Sequence, residues 1–207
     1  MPTEIPPTRC CRGKTVALWV CALVLLGAGG AWGWANYVQT YHFATVQDGV
    51  LYRDGNRGIR EFETALRKSR AKTVVCLVDD REMADPRKPQ FAQEADLCKQ
   101  QGVNFVRIPI KLGGWPTTGD VRRFLAIAQD PKNQPLLVHC AQGVRRTGMM
   151  AAAFQESILN WDQSKTKSSF QTFGHSDRTV KDVERFISVY DPKERKMTAR
   201  LEQSSEE

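Results

Sequence analysis

Between Lys14 and His42 the sequence has no Asp, Glu, Lys, Arg or His. A gap of that length is not an ordinary solvated surface. Cysteine is scarce where a fold would use it for cross-links. Of six, Cys10, Cys11 and Cys21 lie in or before the uncharged run, and only Cys76, Cys98 and Cys140 lie beyond it. That argues against a disulfide framework. No Cys-x-x-Cys pair occurs, which argues against structural zinc. Repeats of solenoid period are missing. So are zinc-ligand spacings and aromatic-basic repeats, and no nucleic-acid partner is expected.

What is present fits a globular domain with additions. The chain has 207 residues, 41% hydrophobic and 26% charged, with a formal net charge of +7. That length allows one domain of ordinary size. The positive balance suits an anionic substrate or an anionic membrane surface.

The uncharged run has the features of a membrane segment. Its dense apolar part runs from Thr15 to about Trp34, the length that spans a bilayer as a helix. Arg9, Arg12 and Lys14 precede it, and the next Lys or Arg is Arg53. The positive-inside rule then places the N-terminus in the cytoplasm and the remaining chain on the other side, as a single-pass membrane protein. Trp32, Trp34, Tyr37 and Tyr41 would form the aromatic belt at the far interface. A cleaved signal peptide is the competing reading. The expected organisation is a polar tail (1–14), an anchor (15–36), a catalytic domain (43–190) and a charged flexible tail (191–207).

Within the domain, alternation and helical spacing succeed one another. A hairpin is expected around Gln47-Asp48-Gly49, then a helix over 57–69. The apolar run Val74–Val78 predicts a strand buried on both faces, followed by a charged loop from Asp79 to Pro89. A helix over 90–101, a strand near 106–110 and a helix over 118–130 come next. Leu136–His139 is the following strand, and helices are expected over 147–160, 161–171 and around 183–190. Strands alternating with helices, then helices in a row, predict an α/β fold: a central, mostly parallel sheet flanked by helices.

The stretch with the most chemistry is His139-Cys140-Ala141-Gln142-Gly143-Val144-Arg145-Arg146-Thr147-Gly148. It sits between a predicted strand and a predicted helix, where loop N–H groups and the helix dipole can hold a phosphate. The same groups, with a nearby arginine, should depress the Cys140 pKa and favour the nucleophilic thiolate. Arg146 can grip two phosphate oxygens with its planar fork. Gly143 lets the loop turn without a Cβ in the way. Thr147 can offer its hydroxyl to the sulfur, and His139 can pin the loop by bonding to backbone. Cys76, in a predicted core strand, is either a buried core cysteine or a resolving partner for Cys140.

Val50–Arg53, Thr73–Leu77 and above all Gln134–Gly148 resemble the cysteine-dependent protein tyrosine phosphatase superfamily. The likeness is to its compact dual-specificity branch, with atypical plant, fungal and bacterial members. The resemblance implies attack by Cys140 on phosphorus, formation of a phosphocysteine, and its hydrolysis with help from the Thr147 hydroxyl. Arg146 and the amides of Ala141, Gln142, Gly143, Val144 and Arg145 would bind the phosphoryl oxygens, with no metal or other cofactor. The substrate would be a phosphorylated protein, an inositol phosphate or a phosphoinositide. Arg145 and Lys111 are candidate extra cations for a ligand with several phosphates; the alternative for Arg145 is a structural ion pair or a place in solvent.

The sequence departs from the superfamily at the general acid. Thr117 follows Trp115-Pro116 where an Asp is usual, and Asp120 is the sole carboxylate in that loop. Asp79, Asp80 and Asp177 are the other candidates. A missing acid would cost about 10²–10⁴-fold and favour good leaving groups. The alternatives are a catalytically weak phosphate-binding pseudophosphatase on a membrane and, by analogy alone, sulfur transfer or arsenate reduction.

Overall fold

The computed structural model describes residues 12–39, 42–170 and 177–197. It divides into two units, Met1–Val38 and Gln39–Glu207. The first unit holds α1 (Arg12–Gln39). Its stretch Val16–Trp34 is long and apolar enough to cross a membrane.

The second unit is an α/β fold built on a five-stranded sheet in the order β1-β2-β5-β3-β4. The strands are β1 (Ala44–Gln47), β2 (Leu51–Gly55), β3 (Thr73–Cys76), β4 (Asn104–Arg107) and β5 (Leu136–Cys140). β1 pairs antiparallel with β2, and the other pairings are parallel. β3 and β5 are buried on both faces, as their continuous apolar runs require.

Side-chain alternation gives the sheet two faces. Leu51, Val75, Leu77, Leu136, Val138 and Cys140 point into the larger core cluster. That face is covered by α5 (Thr118–Gln129), α6 (Arg145–Ser157) and α8 (Asp177–Val189), with α7 (Gln163–Phe170) beside them. Tyr52, Val74 and Leu137 face the other way, onto α2 (Ile59–Ser69) and α4 (Pro89–Gln100). In α2 the residues at helical spacing, Phe62, Ala65, Leu66 and Ser69, are the buried ones. Phe62 is fully buried, a contribution of about 1.5–3 kcal/mol.

The structure differs from the sequence expectations at four points. The loop after β3 contains a short helix, α3 (Asp80–Met83), because the Asp79 carboxylate caps it by accepting from the Glu82 amide at 2.7 Å. β4 ends at Arg107, short of Pro109, which has no N–H for a ladder. Helix α6 starts at Arg145 rather than Thr147, so Arg146 and Thr147 stand in its first turn. The chain from Asp191 is not free of structure: β6 (Tyr190–Asp191) pairs with β7 (Lys196–Met197), and Met197 is buried. The break expected at residues 173–176 lies outside the described residues.

Candidate active site

β5 lies between β2 and β3 and delivers Cys140 at its carboxyl end. Residues 141–144 turn the chain directly into α6, so Ala141, Gln142, Gly143, Val144 and Arg145 do form one loop at a helix N-terminus. Gly143 has φ +71°, the left-handed region. It packs against the end of β2 so closely that a Cβ on it would come within 3.0 Å of the Asp54 and Gly55 backbone. A Cβ on Gly55 would likewise collide with Gln142 and Gly143. The two glycines therefore act together.

The loop is fastened from several sides. Arg53 is buried on β2, and its Nη2 donates to the Gly143 carbonyl at 2.7 Å. Its guanidinium also lies over the Phe170 ring, 5.2 Å from the centroid. His42 Nδ1 donates to the Gln142 carbonyl at 2.6 Å. The Asn56 amide donates to the Cys140 carbonyl at 3.2 Å.

At the nucleophile, the Gly143 amide donates to Cys140 Sγ at 3.3 Å. Burial alone would push the Cys140 pKa up. The Arg146 charge, the Thr147 hydroxyl and the Thr147 and Gly143 amides outweigh it, and the net shift is downward. Arg146 is aimed by the carboxylate of Glu82: Nη1 lies 2.5 Å from Oε2 and Nη2 3.2 Å from Oε1. Nη1 also reaches the carbonyls of Ile110 at 3.0 Å and Leu77 at 3.3 Å.

His139 and Cys76 stand opposite each other in the β3–β5 register, so they share the sheet face that Cys140 does not use. That corrects the notion of Cys76 as a resolving partner: it is a buried core thiol beneath the sheet, whose pKa burial raises well above normal. The His139 ring lies against Phe62, and its Nε2 is 3.5 Å from Oε2 of Glu94. Burial pushes its pKa down to about 4 against a smaller opposing influence of the Cys140 backbone, so the imidazole is neutral at physiological pH.

Three of the four candidate acids are occupied elsewhere. Asp120 forms a capping box with Thr117, accepting from its amide at 2.9 Å and its hydroxyl at 2.8 Å. Asp80 is exposed and paired with Arg107 at 2.8 Å. Asp79 accepts from the amides of Glu82 and Leu112, each at 2.7 Å. Burial raises its pKa, but those two amides and the Arg146 charge overcome it, and the carboxyl stays ionised. Asp177 opens α8, and its side chain lies outside the described residues.

Arg145 also departs from its expected use. Its Nε donates to Asp182 at 2.7 Å, an Nη donates to the Gly114 carbonyl, and the guanidinium stacks over Trp115. The side chain thus fastens the Gly113–Trp115 loop to α8 instead of reaching a ligand as a second cation.

Sequence reasoning passed over Glu82, Glu94, Arg53 as a loop support, and His42. Glu82 and Glu94 lay in what read as a charged loop and a solvated helix. Their burial, 5% and 0% exposed, comes only from the packing of α3 and α4. Among the described residues, Cys76, Glu94 and His139 form a grouping with metal-ligand chemistry, their donor atoms within 4.8 Å of one another. The Cys76 and Asn56 side chains already donate to Glu94. Beside α3 opens a cleft of about 1000 Å³ lined by Arg81, Glu82, Lys88, Lys111, Leu112 and Gly114 among others.

Known proteins are similar to this chain. An inositol diphosphatase of Arabidopsis thaliana, DSP4, is 27% identical over 162 residues, covering 75% of this chain and 74% of its own. The probable chloroplastic NAD kinase 2 of Oryza sativa is 26% identical over 142 residues, 65% of this chain but 14% of that protein. In structure, the catalytic core of Siw14, a Saccharomyces cerevisiae protein, superposes with a TM-score of 0.61 at 20% identity. That match covers 81% of this chain and 93% of the core, and it speaks for the fold. Residues 50–189 match the sequence model of the family described as DSP-PTPase phosphatase fused to NAD+ kinase, and the chain belongs to that family of cysteine-dependent phosphatases.

Proposed function

We propose that the protein hydrolyses phosphoanhydrides and other activated phosphate esters of highly phosphorylated small molecules, with diphosphorylated inositols as the leading substrate class. Cys140 attacks the terminal phosphorus. The S–P bond forms as the bond to the bridging oxygen breaks, and the remainder leaves as a phosphate monoester. Water then attacks the phosphocysteine, the S–P bond breaks, and its proton goes to the inorganic phosphate released. The Thr147 hydroxyl stabilises the departing thiolate, and Arg146 with the amides of residues 141–145 holds the phosphoryl oxygens throughout. His139 supports the loop without touching the substrate.

The observation that carries this reading is the state of the three candidate carboxylates whose side chains are among the described residues. Asp79 is ionised and doubly bonded to backbone, Asp80 is paired, and Asp120 is a helix cap. An alcohol leaving group needs a proton from such a residue, a contribution of about 10²–10⁴-fold. A phosphate monoester does not, because its second pKa is about 6 and it leaves as a stable anion. The names of two relatives agree: DSP4 is an inositol diphosphatase, as is yeast SIW14, 30% identical over 95 residues. Binding without turnover finds no support, since the thiol is activated and Arg146 is in place.

Helix α1 is proposed as a single-pass membrane anchor with the catalytic unit on the non-cytoplasmic side, a reading supported by the basic residues that precede Val16–Trp34. Retention of the full chain in membranes washed at alkaline pH, with protection of the catalytic unit from added protease in sealed vesicles, is the expected result. Release on washing, or digestion in sealed vesicles oriented with the cytoplasmic face out, would contradict it.

The substrate test is a phosphate-release screen of the purified chain against diphosphorylated inositols, inositol phosphates, phosphoinositides and phosphotyrosine peptides, with Cys140→Ser as control. The diphosphates should give the highest kcat/KM. A preference for simple alkyl monoesters would sink the reading.

A further inference from the structure

Under the nucleophile, on the sheet face away from the substrate, residues from three strand ends gather at one side chain of α4. Glu94 is fully buried. Its Oε1 accepts from Nδ2 of Asn56, at the end of β2. Its Oε2 accepts from Sγ of Cys76, at the end of β3, at 3.4 Å, and lies 3.5 Å from Nε2 of His139 on β5. Each of the three connects to the catalytic loop through backbone. The Asn56 amide donates to the Cys140 carbonyl at 3.2 Å, and the Leu77 amide, next to Cys76, donates to the His139 carbonyl at 2.9 Å. His139 itself is bonded covalently to Cys140.

A carboxyl with no water around it is costly to bury unless its oxygens are satisfied. Glu94 meets that condition through two side chains, Asn56 just after β2 and Cys76 at the end of β3, so those two strand ends cannot shift independently, and His139 on β5 packs beside them. We infer that Glu94 is the positioning residue of the nucleophile, a buried clasp that fixes the backbone from which Cys140 and its loop amides project. This inference rests on the phosphatase reading. The loop amides act on the sulfur only at the right distance and angle, so a loosened base weakens both thiolate stabilisation and phosphoryl binding. Displacements of about 1 Å remote from the chemistry can cost about 10²-fold in rate.

The groups facing Glu94 decide how a test reads. They are Asp54 and Asn56 from β2, Cys76 from β3, Arg107 from β4, His139 from β5 and Cys98 one turn along α4. Burial raises the Glu94 pKa to about 8, partly offset by Asn56, Cys76 and Arg107. At neutral pH Glu94 is therefore mostly protonated, and Glu94→Gln removes little charge. Loosening the loop would raise the Cys140 pKa.

The experiment uses the full chain and Glu94→Gln, which keeps the shape but turns an amide donor toward Cys76 and His139. Asn56→Ala removes a single clasp bond and serves should Glu94→Gln not fold. For each, the iodoacetamide reaction of Cys140 is followed against pH on folded protein, alongside kcat and KM. The expected result is an upward shift of the Cys140 titration in both variants. For Glu94→Gln, kcat should fall by about 10²-fold with little change in KM. An unchanged or downward-shifted titration overturns the inference. A wild-type Cys140 that titrates like an ordinary cysteine would instead overturn the phosphatase reading beneath it.

Discussion

The guanidinium of Arg146 meets the carboxylate of Glu82 as a two-pronged pair, Nη1 to Oε2 at 2.5 Å and Nη2 to Oε1 at 3.2 Å, with both side chains buried. The pair spans α6 and α3, 64 residues apart in sequence. It leaves the arginine oriented before substrate arrives. Glu82→Gln should lower kcat/KM by about tenfold to 10²-fold, because the phosphoryl clamp loses its fixed direction. Unpairing a buried arginine should also cost about 3–5 kcal/mol of stability. Steady-state kinetics with thermal unfolding checks both, and a variant with full activity would remove Glu82 from the account.

Gly143 and Gly55 approach each other where β2 passes under the loop. Gly143→Ala places a Cβ at φ +71° and against the Asp54 backbone. The expected cost is about 1–3 kcal/mol from backbone strain alone, with loss of most activity because the Cys140–Gly143 contact is displaced. Denaturant unfolding and phosphate release measure the two effects. An alanine variant as stable and active as wild type would show that the loop has room the geometry denies it.

Asp120 belongs to the Thr117 capping box. Asp120→Ala should lower stability by about 1 kcal/mol and leave kcat/KM toward diphosphorylated inositols unchanged. Loss of a general acid would instead cost about 10²–10⁴-fold and flatten the basic limb of the pH profile. The pH dependence of kcat/KM for the two proteins distinguishes them.

Cys76 shares a sheet face with His139, opposite the nucleophile. Mild peroxide treatment should therefore oxidise Cys140 without forming a Cys76–Cys140 disulfide. Cys76→Ser should not alter the rate of reactivation by added thiol. Mass mapping of the oxidised protein is the check, and a Cys76–Cys140 cross-linked peptide would contradict the placement.

Much of this was legible in the sequence because the relevant signals are local. The continuous apolar runs of β3 and β5 marked strands covered on both faces, and the Cys140–Thr147 string specified its own strand, turn and helix. The supports of that string are not local. Glu82 and Glu94 look like solvated charges until α3 and α4 bury them, and nothing in the spacing of Arg53 or His42 predicts that each reaches a loop carbonyl about a hundred residues away. Arg145 is the converse case. Its neighbours suggest a ligand cation, yet Asp182 and Trp115, brought near by α8 and the Gly113–Trp115 loop, hold it. The pairing of β6 with β7 was hidden because two-residue strands in a charged segment leave almost no periodic signal.

The central claim is that Cys140 carries the phosphoryl group. The most direct measurement is rapid acid quench of the full chain during turnover of a diphosphorylated inositol, with mass spectrometry to locate bound phosphate. The account predicts a phosphocysteine at Cys140 that forms and decays at rates compatible with kcat, and neither adduct nor phosphate release in Cys140→Ser. Equal turnover by wild type and Cys140→Ser, or phosphate trapped on a different residue, would contradict it.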